Sequence, residues 1–157
     1  MTIYLIPHAH AGSRSGWGGD EVERPLSARG ALQVEGIVEE LRDEPIGRVF
    51  SSPYRRCVQT VEPLAQTRGL EVRVAPALTE GTDIDEVLTF LADRAKHHPA
   101  LCTHGDIVPK VIRHLLADGM AADVGPISQK GSIWVLTTDH GRVVHGRYVP
   151  PTTAADD

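Results

Sequence analysis

The N-terminal stretch TIYLIPHAHAG, residues 2–12, starts as an apolar run and ends in two histidines and a glycine. A short apolar run predicts a buried strand over Thr2 to Pro7. His8 and His10 follow where that strand ends, although a buried strand seldom ends in two histidines. The stretch therefore predicts an α/β sheet whose first strand delivers an imidazole to one edge.

Strands and helices alternate along the rest of the chain. Apolar runs predict strands at 48–51, 71–75, 100–103, 132–138 and 142–149. Helical spacing predicts four helices, which begin after Ser27, at Pro53 with Ser52 as N-cap, at Ile84 and after Asp106. The alternation predicts one three-layer α/β domain over residues 1–149, with a mostly parallel central sheet and helices on both faces. A flexible tail is expected over residues 150–157.

Composition excludes several classes of protein. The 157 residues carry a formal net charge of -5, so we expect neither a nucleic-acid nor a membrane-surface partner. Apolar runs stay well below the roughly 20 residues that span a bilayer, and the N-terminus lacks the pattern of a secretion signal. Cys57 and Cys102 lie far apart and form no CxxC pair. A cytoplasmic protein is therefore expected.

Polar residues follow the predicted strands where an open α/β sheet binds its ligands. The second strand leads into SSPYRRCVQT, residues 51–60, which places Arg55 and Arg56 in the first turn of a helix. Glu80 follows the third strand, and His104-Gly105 follows the fourth. Helix N-termini and arginines bind phosphate oxygens well. The expected convergence is a phosphate pocket with an imidazole nucleophile and an acid.

Three motifs together resemble the histidine phosphatase superfamily, the phosphoglycerate-mutase-like proteins with an Arg-His-Gly signature. They are His8 at the first strand end, SSPxxRxxQT at residues 51–60 and Thr-His-Gly at residues 103–105. The segment from Arg24 to Gly30 resembles the family's RPLTxxG. The small size is similar to the SixA-type phosphohistidine phosphatases. GSRSGWGGDEVERPL and KGSIWVL resemble the phosphatase-like domain that follows a Nudix hydrolase in some actinobacterial proteins.

The resemblance implies a phosphoglycerate-mutase-like fold and a role for each matching residue. His8 would be the nucleophile that becomes phosphorylated, Arg56 would hold the phosphate, and His104 would contact its oxygens. Glu80 would donate a proton to the leaving group. Substrate-binding candidates are Ser13, Arg14, Trp17, Arg55 and Gly105. The implied substrate is a phosphorylated small molecule, a nucleotide or a phosphoprotein, with no metal and no cofactor required.

Pro7 departs from the family pattern, because the signature has arginine at this position. Arg14 or Arg55 could supply the missing guanidinium, or the enzyme could be slow or selective. The chain could also be a pseudoenzyme that binds phosphate without turnover. Retention of His8, Arg56, Glu80 and His104 together favours activity.

Two further hypotheses concern His10 and Trp17. His8 and His10 could bind a metal in a metal-dependent hydrolase, but they share a strand face only if the strand continues to His10. Trp17 could stack on a nucleobase, or it could simply pack in its glycine-rich loop.

Overall fold

The computed structural model describes residues 1–152 of the chain as one α/β domain. The strands are β1 (Thr2–Pro7), β2 (Arg48–Ser51), β3 (Val72–Val74), β4 (Pro99–Thr103), β5 (Ala121–Ala122), β6 (Ile133–Asp139) and β7 (Arg142–Val149). The helices are α1 (Ala28–Glu40), α2 (Arg55–Thr67), α3 (Ile84–Arg94) and α4 (Ile107–Ala117), with 3₁₀ turns at Glu21–Glu23, Pro76–Leu78 and Ala95–His97.

The seven strands form one sheet in the order β3-β2-β4-β1-β6-β7-β5. Pairs β2–β3, β2–β4, β1–β4 and β5–β7 are parallel, whereas β6 runs antiparallel to both β1 and β7. Strands β1, β2 and β4 therefore end at the same edge. This confirms the predicted mostly parallel sheet and brings the residues after these three strands together.

Two apolar cores cover the two faces of the sheet, as the alternation of β1 requires. Ile3 and Leu5 pack with residues of α3 and α4, whereas Tyr4 and Ile6 pack with residues of α1 and α2. This confirms helices on both faces. Both cysteines are buried free thiols.

Three local predictions need correction. Helix α2 begins at Arg55 with Tyr54 as N-cap, because the backbone of Tyr54 is extended, with ψ of 136°. The Ser52 hydroxyl accepts from Tyr54 N at 3.3 Å and contacts His104, ahead of the helix. Asp106 precedes α4, but its carboxylate accepts a hydrogen bond from Gly81 N instead of capping the helix. The two-residue strand β5 was not predicted.

The C-terminal end packs on the domain as far as Thr152. Pro151 is buried, and the Thr152 side chain lies against Gly36 of α1. The rest of the expected flexible tail, residues 153–157, lies outside the described residues. Among residues 1–152 no helix is both long and apolar enough to cross a membrane.

Candidate active site

A cleft of about 380 Å³ lies at the sheet edge where β1, β2 and β4 end. This volume falls within the usual range for small-molecule sites. The titratable side chains that line it are His8, His10, Arg14, Arg24, Arg56, Glu80, His104, Asp106 and Lys130. Four of these are cationic and two are carboxylates, although the whole chain has a net charge of -5. The cleft is therefore suited to an anion.

His8 lies at the bottom of the cleft, directly after β1, and is only 3% exposed. Its backbone N–H donates to Thr103 O of β4 at 3.0 Å, which continues the strand pairing. Its Nδ1 lies 2.8 Å from Ala9 O. Because a carbonyl oxygen can only accept, Nδ1 must carry the ring proton. Nε2 therefore has a lone pair, and it lies 3.3 Å from Arg56 Nε.

His8 is held in its neutral form. Burial, together with the positive charges of Lys130 and Arg56, lowers its pKa to about 2. A neutral imidazole with an accessible lone pair is a competent nucleophile at neutral pH.

The segment after His8 is fixed by the residues of the RPLSxxG motif. Arg24 Nη1 donates to the carbonyls of Ala11 and Gly12, and both Ser27 N and Ser27 Oγ donate to His10 O at 3.0 Å. Gly30 permits this contact, since a Cβ there would lie 2.0 Å from His10 O. The motif thus packs the first turn of α1 against the histidine segment.

Helix α2 contributes Arg56 and the groups that anchor it. Arg56 is 1% exposed, and its Nη1 donates to Glu21 O at 2.8 Å. Thr60 Oγ1 donates to Arg56 O and accepts from Ala9 N at 3.0 Å. Gln59 accepts from Leu26 N. The Gln-Thr pair of SSPxxRxxQT therefore ties α2 to the segments around His8 and Ser27.

His104 follows β4 and is 2% exposed. Its Nε2 lies 2.8 Å from Ser52 Oγ, and its ring centroid lies 5.7 Å from that of His8. Within residues 1–152 its buried Nδ1 has no hydrogen-bond partner, and the nearest carboxylate oxygen, Glu80 Oε2, is 3.9 Å away. A buried polar atom of this kind is costly unless a ligand binds it.

Glu80 lies at the mouth of the cleft. Its Oε2 accepts from Arg14 Nη2 at 2.9 Å and lies 3.8 Å from Arg56 Nη2. Its Oε1 accepts from Tyr54 Oη at 3.3 Å. Burial, followed by the charge of Glu80 and this hydrogen bond, raises the pKa of Tyr54. The carboxyl group is therefore close to the His104 imidazole and to the guanidiniums of Arg14 and Arg56.

The structure brings together some of the predicted site residues and separates others. His8, Arg56, Glu80 and His104 share the cleft, with Arg14 and Gly105 at its wall. Arg55 lies on the exposed side of α2, and Ser13 is exposed and contacts Ser15 and Gly16. Trp17 turns its Nε1 to Asp20 O. Arg55, Ser13 and Trp17 are not among the described residues that line the cleft. Their role in substrate binding stays a prediction.

Sequence reasoning did not predict as site residues Lys130 and Arg24, which line the cleft, or Glu21, whose carboxylate pairs with arginines of the cleft. Lys130 Nζ lies 3.4 Å from His8 Nε2, and the Glu21 carboxylate lies within 3.8 Å of Arg14, Arg24 and Arg56. The available signal for Lys130 was the segment KGSIWVL, residues 130–136, which leads into β6. Glu21 does not directly follow a predicted strand, so no comparable sequence signal pointed to it.

The hypothesis of a metal-dependent hydrolase is not supported by a group of metal-ligating side chains among the described residues. His10 Nδ1 lies 2.6 Å from Ser27 Oγ, and Asp106 accepts from Gly81 N. Within residues 1–152 no three or more His, Cys, Asp or Glu side chains are grouped as metal ligands.

Comparison with known proteins adds an independent observation. The sequence profile of the histidine phosphatase superfamily (branch 1) matches residues 3–85. A curated relative from Mycolicibacterium smegmatis, named 8-oxo-(d)GTP phosphatase, is 32% identical over 96% of this chain. The match covers 48% of that protein, so the chain spans about half the length of this relative.

Two solved structures share the fold. A SixA protein histidine phosphatase complexed with tungstate superposes with a TM-score of 0.74 at 22% identity, covering 94% of each chain. A structure described as a SixA phosphohistidine phosphatase from Nakamurella multipartita gives a TM-score of 0.72 at 24% identity, covering 96% of each chain.

Proposed function

Because the chain belongs to the histidine phosphatase superfamily, we propose that it is a metal-independent phosphatase that acts through a phosphohistidine on His8. The observation that carries this proposal is the state of His8. Its Nδ1 proton is held by Ala9 O, and its Nε2 lone pair points at Arg56 and Lys130. A phosphorus atom beside Nε2 would find cationic donors for its oxygens.

The reaction proceeds in two balanced steps. In the first, the Nε2 lone pair attacks phosphorus, an N–P bond forms, and the P–O bond to the leaving group breaks. Protonated Glu80 gives its proton to the departing oxygen. In the second, water loses a proton to Glu80 and attacks phosphorus. The N–P bond then breaks, its electron pair returns to Nε2, and inorganic phosphate leaves.

The other side chains position the phosphoryl group. Arg56 is anchored by Glu21 O and by its own helix, so its guanidinium is already oriented before the substrate arrives. His104 Nδ1, unpartnered among the described residues, is available to bind a phosphoryl oxygen. Preorganised donors of this kind supply a large share of the rate enhancement in phosphoryl transfer.

The substrate is a phosphomonoester or a phosphohistidine, with nucleotides included. The cleft opens beside the exposed side chain of Arg14, which leaves room for a leaving group beyond the phosphate. The relative named 8-oxo-(d)GTP phosphatase supports a nucleotide, and the SixA-like fold makes a phosphorylated protein side chain a reasonable probe.

The test is hydrolysis of an aryl phosphate, with and without a chelator. We expect the native chain and the control His140→Ala, which changes an exposed histidine, to be active and indifferent to the chelator. His8→Ala should lose activity, and an acid-labile phosphoenzyme should be trapped only when His8 is present. Activity that survives in His8→Ala, or that disappears with the chelator, would refute the proposal.

Pro7 favours a second candidate, a phosphate-binding protein without turnover. The family signature places arginine at this position, and proline supplies neither a guanidinium nor a backbone N–H. A native chain that binds phosphate but hydrolyses neither aryl phosphate, phosphohistidine nor 8-oxo-dGTP, while Pro7→Arg is active, would support this candidate. Equal activity of the two proteins would exclude it.

A further inference from the structure

Lys130 places a positive charge beside the nucleophile. Its ammonium nitrogen lies 3.4 Å from His8 Nε2, the atom that Arg56 Nε also approaches. Within residues 1–152 no carboxylate forms an ion pair with Lys130. The two cations beside the neutral imidazole, Arg56 and Lys130, repel each other. An anion bound next to His8 Nε2 would offset this repulsion.

The turn that carries Lys130 is tied to the end of β1. Gly131 N donates to both Pro7 O and His8 O at 3.2 Å. Gly131 has a φ of +78°, and a Cβ there would lie 2.9 Å from Gln33 Oε1, the atom that accepts from His10 N. The backbone beside Lys130 is therefore held against the histidine segment by the close approach that glycine allows.

The ammonium group of Lys130 lies next to Gly105, the residue that follows His104. A Cβ at Gly105 would lie 3.0 Å from Lys130 Nζ, so the flexible end of the lysine would have to shift by a few tenths of an ångström. Glycine at this position leaves the present path of Lys130 into the cleft clear. Gly105 is followed by Asp106 and the N-terminus of α4, so the ammonium enters at the same edge as the other donors.

We infer that Lys130 binds the transferred phosphoryl group and supplies the positive charge that Pro7 does not provide. The inference rests on the proposed phosphatase function. A phosphorus atom on Nε2 of His8 would carry its oxygens towards Arg56 on one side and Lys130 on the other. Lys130 is then a catalytic residue whose charge acts on the same dianionic group that the arginine of the family signature would hold.

The first test is charge removal at nearly constant shape. Lys130→Met should lower kcat/KM for an aryl phosphate by about 100- to 1,000-fold, the usual effect of losing one donor to the transition state. Lys130→Arg should retain more activity than Lys130→Met. The matched control is Lys110→Met, which changes an exposed lysine on α4 and should match the native chain.

A binding measurement separates this inference from the proposed function. Calorimetric titration with inorganic phosphate needs no turnover. We expect Lys130→Met to bind phosphate at least tenfold more weakly than the native chain, with unchanged thermal stability. If the native chain binds phosphate but hydrolyses nothing, the proposed function fails. The Lys130 inference is then still tested by the ratio of the phosphate affinities of the native chain and Lys130→Met.

The double variant Pro7→Arg, Lys130→Met tests the replacement itself. If Lys130 and an arginine at position 7 serve the same role, the double variant should have at least tenfold higher activity or phosphate affinity than Lys130→Met. Phosphate affinity and kcat/KM within threefold of native in Lys130→Met would overturn the inference. So would a native chain that does not bind phosphate, or a double variant no better than Lys130→Met.

Discussion

Gly30→Ala tests how strictly the histidine segment depends on the close approach of helix α1. An unshifted Cβ would lie 2.0 Å from His10 O, whereas a carbon and a carbonyl oxygen normally stay about 3.3 Å apart. The helix and the segment must therefore separate by roughly 1.3 Å, the difference between these two distances. That shift lengthens the two hydrogen bonds from Ser27 to His10 O, now 3.0 Å each, beyond useful range.

The cost follows from these bonds. Each contributes about 1 kcal/mol, and a carbonyl left without a partner costs about 1–3 kcal/mol more. Alanine returns up to about 1 kcal/mol of helix propensity. We expect the free energy of unfolding to fall by about 2–4 kcal/mol, which for a domain of this size lowers Tm by about 4–16 °C. Activity should fall as well, because His10 is two residues from His8.

The assay is chemical denaturation followed by tryptophan fluorescence, with aryl phosphate hydrolysis in parallel. The matched control is Gly36→Ala in the same helix, where the atoms nearest to a Cβ belong to the Thr152 side chain, from 2.3 Å, at the end of the described residues and not to the backbone of another segment. We expect this control to stay within about 1 kcal/mol of native, in line with the propensity gain. Equal stability of the two variants would refute the idea that Gly30 holds the histidine segment.

Two further predictions concern the titratable groups. The pKa of His8 is about 2 in the folded chain and about 6.5 in the unfolded chain. Above pH 6.5 His8 is neutral in both states. As the pH falls from 6.5 towards 2, only the unfolded chain takes up the proton, so the free energy of unfolding declines. Between pH 7 and pH 5 the free energy of unfolding should fall by about 2 kcal/mol more for the native chain than for His8→Asn, as measured by denaturation at both pH values. Equal decreases would contradict the claim that folded His8 stays neutral in this range. Glu80→Gln should lower kcat/KM, which reports the first step, by about 100- to 10,000-fold for an alkyl phosphate but much less for a nitrophenyl phosphate, whose leaving oxygen needs little protonation. Equal loss on both substrates would exclude Glu80 as the proton donor, and Glu23→Gln, at an exposed position, is the control.

The sequence by itself determined the order of elements and the four residues that meet at the sheet edge. Strand β2 spans the predicted Arg48–Ser51, and helix α1 follows the predicted cap Ser27. Such features are readable because apolar period and capping act over a few neighbouring residues. Parallel strands also end on a common edge, so His8, Arg56 and His104 could be brought together without coordinates.

Tertiary structure alone decided which loop side chains enter the cleft. Arg14 reaches Glu80 at the wall of the cleft, whereas Ser13 and Arg55 are exposed and are not among the described residues that line it. All three were substrate-binding candidates from the sequence. Lys130 reaches His8 from 122 residues away, because Gly131 is bonded to the end of β1 and Gly105 leaves a gap. Such contacts depend on loop paths and on the packing of distant segments, which local periodicity does not encode.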